Sequence, residues 1–299
     1  MWSLLGVSTA QTHREVSLDY RTRQIIAKVG WYFLVCLAVL VILVPLWIAI
    51  VSAFEPNTYI PSQQIRFWPI HSDWSWHNLV LAWTTGGLGR GYAITLLISV
   101  LTMIPTLFVS SLIGYVFATK QFWGKEVVFL LFLMSMMMPG QVTLIPNFIV
   151  YRYLGFINTI IPLVFPGGLI NVFGIFLIRS FMQNLPKELL DAAEIDGAGP
   201  FYTFWRIVIP LSLPALATLT IISFTGVWND YFAPLIFLNS NSLYTIQLHV
   251  AEMVTPFSGT TFAGTLQQAA DFIAAAPIVV LFLLLQPYFI EGITVTGLQ

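Results

Sequence analysis

The sequence predicts an all-α, polytopic membrane protein with six transmembrane helices, and three observations carry the prediction. Of the 299 residues, 58% are hydrophobic and only 8% charged, against roughly 25% charged in an ordinary globular domain. The apolar residues form long continuous runs rather than alternating with polar ones, which disfavours membrane-spanning strands. Aromatic residues make up 15% of the chain, as suits a protein with two membrane–water interfaces, where Trp and Tyr collect.

The remaining composition narrows the class. Net charge is −1, with no basic run, so nucleic acid is not an expected partner. Cys36 is the one cysteine and lies in an apolar run, which excludes a disulfide framework and a cysteine-based metal site. His13, His71, His77 and His249 lack metal-ligand spacing, so no metal is expected. A cleavable signal is not expected either: Trp2 to Val7 is too short an apolar core, and charged residues follow it.

Taken in order, residues 1–28 are a charged N-terminal segment and residues 29–299 the transmembrane domain. A crossing needs about 20 mainly apolar residues. Six stretches qualify: 29–54, 92–119, 126–151, 157–182, 211–238 and 269–290. The segment 55–91 is longer and holds Trp68, Trp74, Trp76 and Trp83, which suit an interfacial belt. With the N-terminus in the cytoplasm, the inner side carries Arg14, Arg21, Arg23, Lys28, Lys120, Lys125, Arg179, Lys187 and Arg206. The outer side then carries only Arg66, Arg90 and Arg152, a positive-inside bias. Pro45, Pro105, Pro139, Pro146, Pro162, Pro166, Pro214, Pro234 and Pro277 all fall within crossings. Each removes a backbone hydrogen bond and favours a kink, so the helices are expected to bend around a pathway.

One stretch breaks the apolar pattern. Glu188, Asp191, Glu194 and Asp196 crowd into nine residues between the fourth and fifth crossings, on the cytoplasmic side. Asn184 is a candidate cap and Pro186 suits a first helical turn. Glu188, Asp191 and Glu194 recur every three residues along one edge, and Lys187 can relieve only Asp191. A row of unmatched acids points to basic groups on another protein. Ala192, Ala193, Gly197, Ala198 and Gly199 let the backbone approach a partner closely, and Gly197 can take a turn conformation closed to larger residues. Pro200 starts a second short helix with the apolar stripe Phe201, Phe204, Trp205 and Val208, ended by Pro210.

Asp191-Ala192-Ala193, Gly197 six positions after the acid, and Ile207-Val208-Ile209-Pro210 resemble the EAA loop of permease subunits of ATP-binding-cassette importers. Asp191 stands where that motif usually has Glu; the charge is kept and the reach is one methylene shorter. The resemblance implies that the loop seats in a cleft of an ATPase subunit and transmits its movement. The coupling role then falls on Glu188, Asp191, Ala192, Ala193, Glu194, Asp196, Gly197, Ile207 and Pro210. Asp196-Gly197-Ala198, the run Pro139 to Pro146, Trp228 to Leu235 and Tyr288 to Thr294 are similar to the carbohydrate-uptake branch. Six crossings without a large outer domain resemble the smaller permease of the maltose system.

That family implies a second, distinct permease, two ATPase subunits carrying ATP and Mg, an extracellular or periplasmic binding protein, and a bacterial cell membrane. No Gly-x-x-x-x-Gly-Lys-Ser/Thr run is present, so ATP is not expected on this chain, and no catalytic residue is expected. Polar residues for a sugar pathway or gate are Gln141, Asn147, Asn171, Ser223, Asn229 and Asp230. The same types also bind helices to each other. Asp230 lies 19 residues beyond Leu211, about 29 Å along a straight helix and therefore near the outer interface, where Arg152 could face it. The outer loop Asn239 to Gln268 matches in position a family loop that reaches into the binding protein; its lack of Lys and Arg fits a plain solvent loop equally well. A polyol or glycerol phosphate is the alternative cargo. An ion-driven secondary transporter would need acids near the midplane and internal repeats, and a membrane enzyme would need a catalytic cluster.

Overall fold

The computed structural model describes residues 8–55, 67–68, 75–254 and 264–296, with side chains described between residues 22 and 288. Trp74, Arg66 and His71, the side chains of His13, Arg14 and Arg21, and residues 255–263 of the outer loop lie outside that set. Every regular element among the described residues is helical.

The first helix, α1 (Ser8–Ala53), is longer than the expected crossing and runs unbroken through Pro45. Its apolar side chains from Ile25 to Trp47 are exposed, as a lipid-facing helix requires. Only its end is buried, where Ala53 and Phe54 meet Ala269, with Ile50 and Leu79 packed beside them. The short α2 (His77–Thr84) then leads into α3 (Leu88–Thr119).

Helix α3 is the central post, packed on α6, α7, α11 and α13. Its buried face explains why. Gly91, Thr95, Ser99, Thr102, Thr106, Ser110 and Gly114 are all buried and recur at spacings of three and four. Small side chains let helix backbones approach closely in a membrane, where burying more hydrocarbon gives no advantage over lipid. At Gly114 a Cβ would lie 2.9 Å from Ile178 Cγ2, so α3 and α7 are nearly in backbone contact. Thr106 Oγ1 donates to the Gly167 carbonyl at 2.8 Å and pins α6 to the same face.

The expected third, fourth and fifth crossings are all broken. Residues 126–151 form α4 (Lys125–Met136) and α5 (Gly140–Tyr153), which meet at 94°. Residues 157–182 form α6 (Ile161–Leu169) and α7 (Val172–Met182), interrupted at Ile170-Asn171. Residues 211–238 split into α11 (Leu213–Trp228) and α12 (Phe232–Phe237). Between α7 and α11 lie α8 (Lys187–Ile195), α9 (Pro200–Thr203), a π-helical turn (Phe204–Val208) and α10 (Ile209–Leu211). The π turn widens the backbone within the segment Pro200–Leu211, which meets α11 at 75° across Ser212. The prolines mark the breaks poorly: Pro45, Pro105 and Pro277 sit inside continuous helices, and only the first break ends at a proline, Pro139.

The described part of the expected outer loop holds α13 (Ile246–Val254), before the last helix α14 (Gly264–Thr296). Ile246, Val250 and Met253 enter one core cluster with Leu88, Phe224, Trp228 and Leu266. A plain solvent loop is therefore overturned for these residues, because their i, i+4, i+7 spacing buries one face. A second cluster at the other end of the molecule joins Tyr115, Ile178, Met182, Phe204, Val208 and Leu219. Among the described residues, four helical segments are long and apolar enough to cross a membrane alone, or up to six if each of the two bent pairs is one crossing.

Candidate functional site

The acidic stretch folds into a short helix closed by a left-handed glycine. Pro186 is the residue before the helix, with extended backbone, and α8 begins at Lys187. Asn184 does not cap it: its side chain donates to the Ser180 carbonyl at 2.9 Å, closing the end of α7 instead. Lys187 and Asp191 form no ion pair among the described residues, although both line one cleft. At the far end, Gly197 has φ +78°, Ala198 N–H donates to the Ala193 carbonyl and Gly197 N–H to the Glu194 carbonyl. That pair of bonds is a Schellman motif, and it satisfies carbonyls the helix end would otherwise leave open.

The faces of α8 differ in exposure. Glu188, Asp191, Ala192, Glu194, Asp196 and Gly197 are exposed, while Ala193 is buried against the body of the protein. The second half of the loop is anchored rather than free. Phe204 and Val208 are buried, and the Tyr115 ring lies 5.3 Å from that of Phe204. Ile207 is half-buried and Pro210 exposed. The expected apolar stripe is split: Phe201 is exposed, and Trp205 lies against Phe108 of α3 at 6.2 Å. Its four residues span an α-to-π junction, so they do not share one face. A cleft of about 620 Å³ opens between α8 and the α3–α4 turn, with Lys120, Lys125 and Glu126 on one wall and Lys187, Asp191 and Glu194 on the other.

The polar residues expected along a pathway separate into different roles. Asn171 caps α7, its Oδ1 accepting from Gly174 N–H at 2.8 Å. Gln141 is exposed in the first turn of α5, beyond the 94° joint. The residues 228–230 tie three different elements to one break. Trp228, fully buried, donates from Nε1 to the Ala274 carbonyl of α14 at 2.8 Å. Asn229 Oδ1 accepts from Gln247 Nε2 of α13 at 3.3 Å. Asp230 Oδ1 accepts from Ala233 N–H at 3.2 Å and caps α12.

Asp230 also lines a cavity of about 250 Å³ with Thr102, Asn147, Tyr151 and Gly167. Thr102 lies midway along α3, so the cavity opens beside the middle of that helix. The 16 residues of α11 supply only about 24 Å before the break, short of a hydrocarbon core of about 30 Å. Arg152 forms no ion pair with Asp230 among the described residues. Thr102, Tyr151, Gln247 and Trp228 were not singled out by sequence reasoning for these contacts. The small-residue register of α3 is the one signal that could have found Thr102.

At the α2–α13 end, Ile246 N–H donates to Thr95 Oγ1 at 2.9 Å, fixing α13 on α3. His249 is buried there against Gly91. Its pKa is pushed below the usual 6.5 by burial first and by the Arg90 charge second. Glu252 lies 3.8 Å from Nδ1 and would favour the protonated ring. Its carboxylate is about half exposed, so water screens it and burial prevails.

Comparison with known proteins agrees with this geometry. The chain is 32% identical over 272 residues to the arabinooligosaccharides transport system permease protein AraQ of Halalkalibacterium halodurans, covering 91% of this chain and 95% of that protein. It is 33% identical over 229 residues to the melibiose/raffinose/stachyose import permease protein MelC of Bacillus subtilis, covering 76% and 82% of the two. In structure it resembles a chain from the crystal structure of a bacterial ABC transporter involved in the import of the acidic polysaccharide alginate. The TM-score is 0.75 at 23% identity, over 90% of this chain and 98% of that one, a likeness of fold. Residues 90–290 match the family described as the binding-protein-dependent transport system inner membrane component. With two thirds of its length matched and relatives aligned over nearly all of it, the chain belongs to that family of importer permeases.

Proposed function

We propose that this permease imports an oligosaccharide, with the loop 186–210 as its coupling element and six crossings formed by α1, α3, the bent pair α4–α5, α6–α7, the bent pair ending in α11, and α14. The chain is a non-catalytic component that works with a partner permease, an ATPase and a substrate-binding protein. The finer assignment is a heterodimeric permease with two ATPase subunits, which hold the ATP and Mg, in a bacterial cell membrane with the N-terminus inside. The oligosaccharide reading is supported by relatives named for arabino-oligosaccharides and for melibiose, raffinose and stachyose.

The observation that carries the coupling assignment is the two-sided construction of α8. Its acids are exposed, Asp191 and Glu194 at the mouth of the cleft, Ala193 is buried, and a Schellman turn at Gly197 leads from α8 to α9. Glu188, Asp191, Glu194 and Asp196 meet basic groups of the ATPase, Ala192 lets the two backbones approach, and Ile207 and Pro210 join the moving loop to α11. Asp230 stands at the pathway, and Asn229 links its break to the outer helix α13. Gln141 lies at the exposed start of α5, while Asn171 holds α7 straight.

Reconstitution of the four-component complex in proteoliposomes tests this reading. Arabinotriose and raffinose, each supplied on the binding protein, are the probes. Stimulated ATP hydrolysis with uptake of either sugar is expected. Stimulation by glycerol phosphate or a polyol alone would overturn the oligosaccharide assignment.

A further inference from the structure

The start of α4 faces the coupling loop across the 620 Å³ cleft, with Lys125 and Glu126 on one wall and Asp191 and Glu194 on the other. Movement of α8 therefore reaches α4 through a neighbour. That neighbour is α7, which runs into the loop and packs on α4. One side chain spans the seam. Arg179, in the last turn of α7, is only 14% exposed. Its guanidinium carbon sits 3.6 Å above the centre of the Phe129 ring, and its Nη2 lies 3.6 Å from Glu126 Oε2 in the first turn of α4. Phe129 is buried and held in place by Phe117 of α3, ring to ring at 5.6 Å. Arg179 Nε is buried without a hydrogen-bond partner, so the guanidinium is committed to α4 rather than to its own helix.

The other side of α7 is fixed. A Cβ at Gly114 would lie 3.1 Å from the Arg179 backbone nitrogen, so α3 and α7 are closely packed at this level. Arg179 is thus mounted on the helix that ends in the coupling loop, and it reaches the first half of a crossing that turns through 94°. The two contacts differ in strength. Glu126 is 75% exposed, and such pairs contribute little in water. A cation over a desolvated ring contributes more.

We propose that Arg179 is a positioning residue that carries displacement of the coupling loop from α7 to α4, and through the joint at Met137–Pro139 to α5. The proposal rests on the coupling-loop reading above. Its test uses the complete complex in lipid nanodiscs, with Cys36→Ser to remove the native thiol. Spin labels sit at Val127→Cys on α4 and Leu189→Cys on α8, both exposed positions, the second turned away from Asp191 and Glu194. The distance between them is measured without nucleotide and with ATP and vanadate.

In the parent the distance stays the same in both states, because α4 follows the loop. In Arg179→Gln the nucleotide-free distance matches the parent and ATP shifts it by about 2 Å or more, the scale of a helix displacement. Arg179→Lys, which keeps a cation over Phe129, and Glu126→Gln both behave as the parent. The proposal falls if Arg179→Gln shows no ATP-dependent shift, if its distance is already altered without nucleotide, as a purely structural role requires, or if Arg179→Lys behaves like Arg179→Gln. If no ATPase copurifies with the parent chain, the coupling-loop reading fails and the inference with it.

Discussion

Gly197 holds a φ of +78° with nothing within 4 Å of where a Cβ would stand. A larger residue therefore meets backbone strain and the partner protein, not its own chain. Gly197→Ala should cost about 1–2 kcal/mol of local stability through the left-handed backbone alone, and assembly should survive. Gly197→Trp adds bulk at the docking face and should abolish copurification of the ATPase. Normal transport by Gly197→Trp would refute the docking role. His249 gives a pH signature. Its folded pKa lies below 6.5, so the unfolded chain takes the proton first as pH falls. The neutral ring's contribution is present above about pH 6.5 and is lost as pH drops from there toward the folded pKa. The protection of the α13 amides, corrected for the slower intrinsic exchange at lower pH, should therefore fall on acidification, and His249→Gln should flatten that dependence.

At the scale of elements, the break at residues 228–230 is held from three sides. Trp228→Phe removes the bond to α14 and should lower the stability of the complex by at least about 1 kcal/mol, read as a fall in its thermal midpoint. Thr95→Val should release α13 while sparing α8, so binding-protein stimulation should fall and ATPase copurification should not. Sequence periodicity showed where apolar runs lay, but not where they turned. Hydropathy does not distinguish a straight span from the 94° joint of α4 and α5, because both are equally greasy. The prolines misled because a membrane helix tolerates them where neighbours fill the gap. The acidic helix α8 and its glycine turn were legible because their chemistry contrasts with everything around them. Asp230 binds the Ala233 backbone rather than Arg152, because the chain breaks after Trp228 and α12 starts at Phe232. Arg179 was read only as one positive charge on the inner side, since its ring partner is 50 residues away in sequence.

Among the described residues, the two larger core clusters lie at opposite ends of α3, one beneath the acidic loop and one around Trp228. Between them runs a face of small residues instead of a large apolar core, so stability depends on close backbone contact. Ser99→Leu on that face should overpack it by about 1–3 kcal/mol and reduce the yield of folded protein without touching either cluster. Purified alone, the chain should hydrolyse no ATP, and any turnover above background that survives removal of contaminating ATPase would contradict the division of labour.

Among the described residues, α1 is buried only toward its end, where Ala53 and Phe54 pack on Ala269. In the order of synthesis that contact closes late. The helix emerges first and its partner roughly 200 residues afterwards, a delay of roughly 10–40 s at about 5–20 residues per second. Until then the end of α1 is held by residues near α2, through Asn78 Nδ2 on the Ala53 carbonyl and Trp76 against Phe54. Helix α14 closes the other side of that contact, so a ribosome that stalls before α14 leaves α1 docked on one side only.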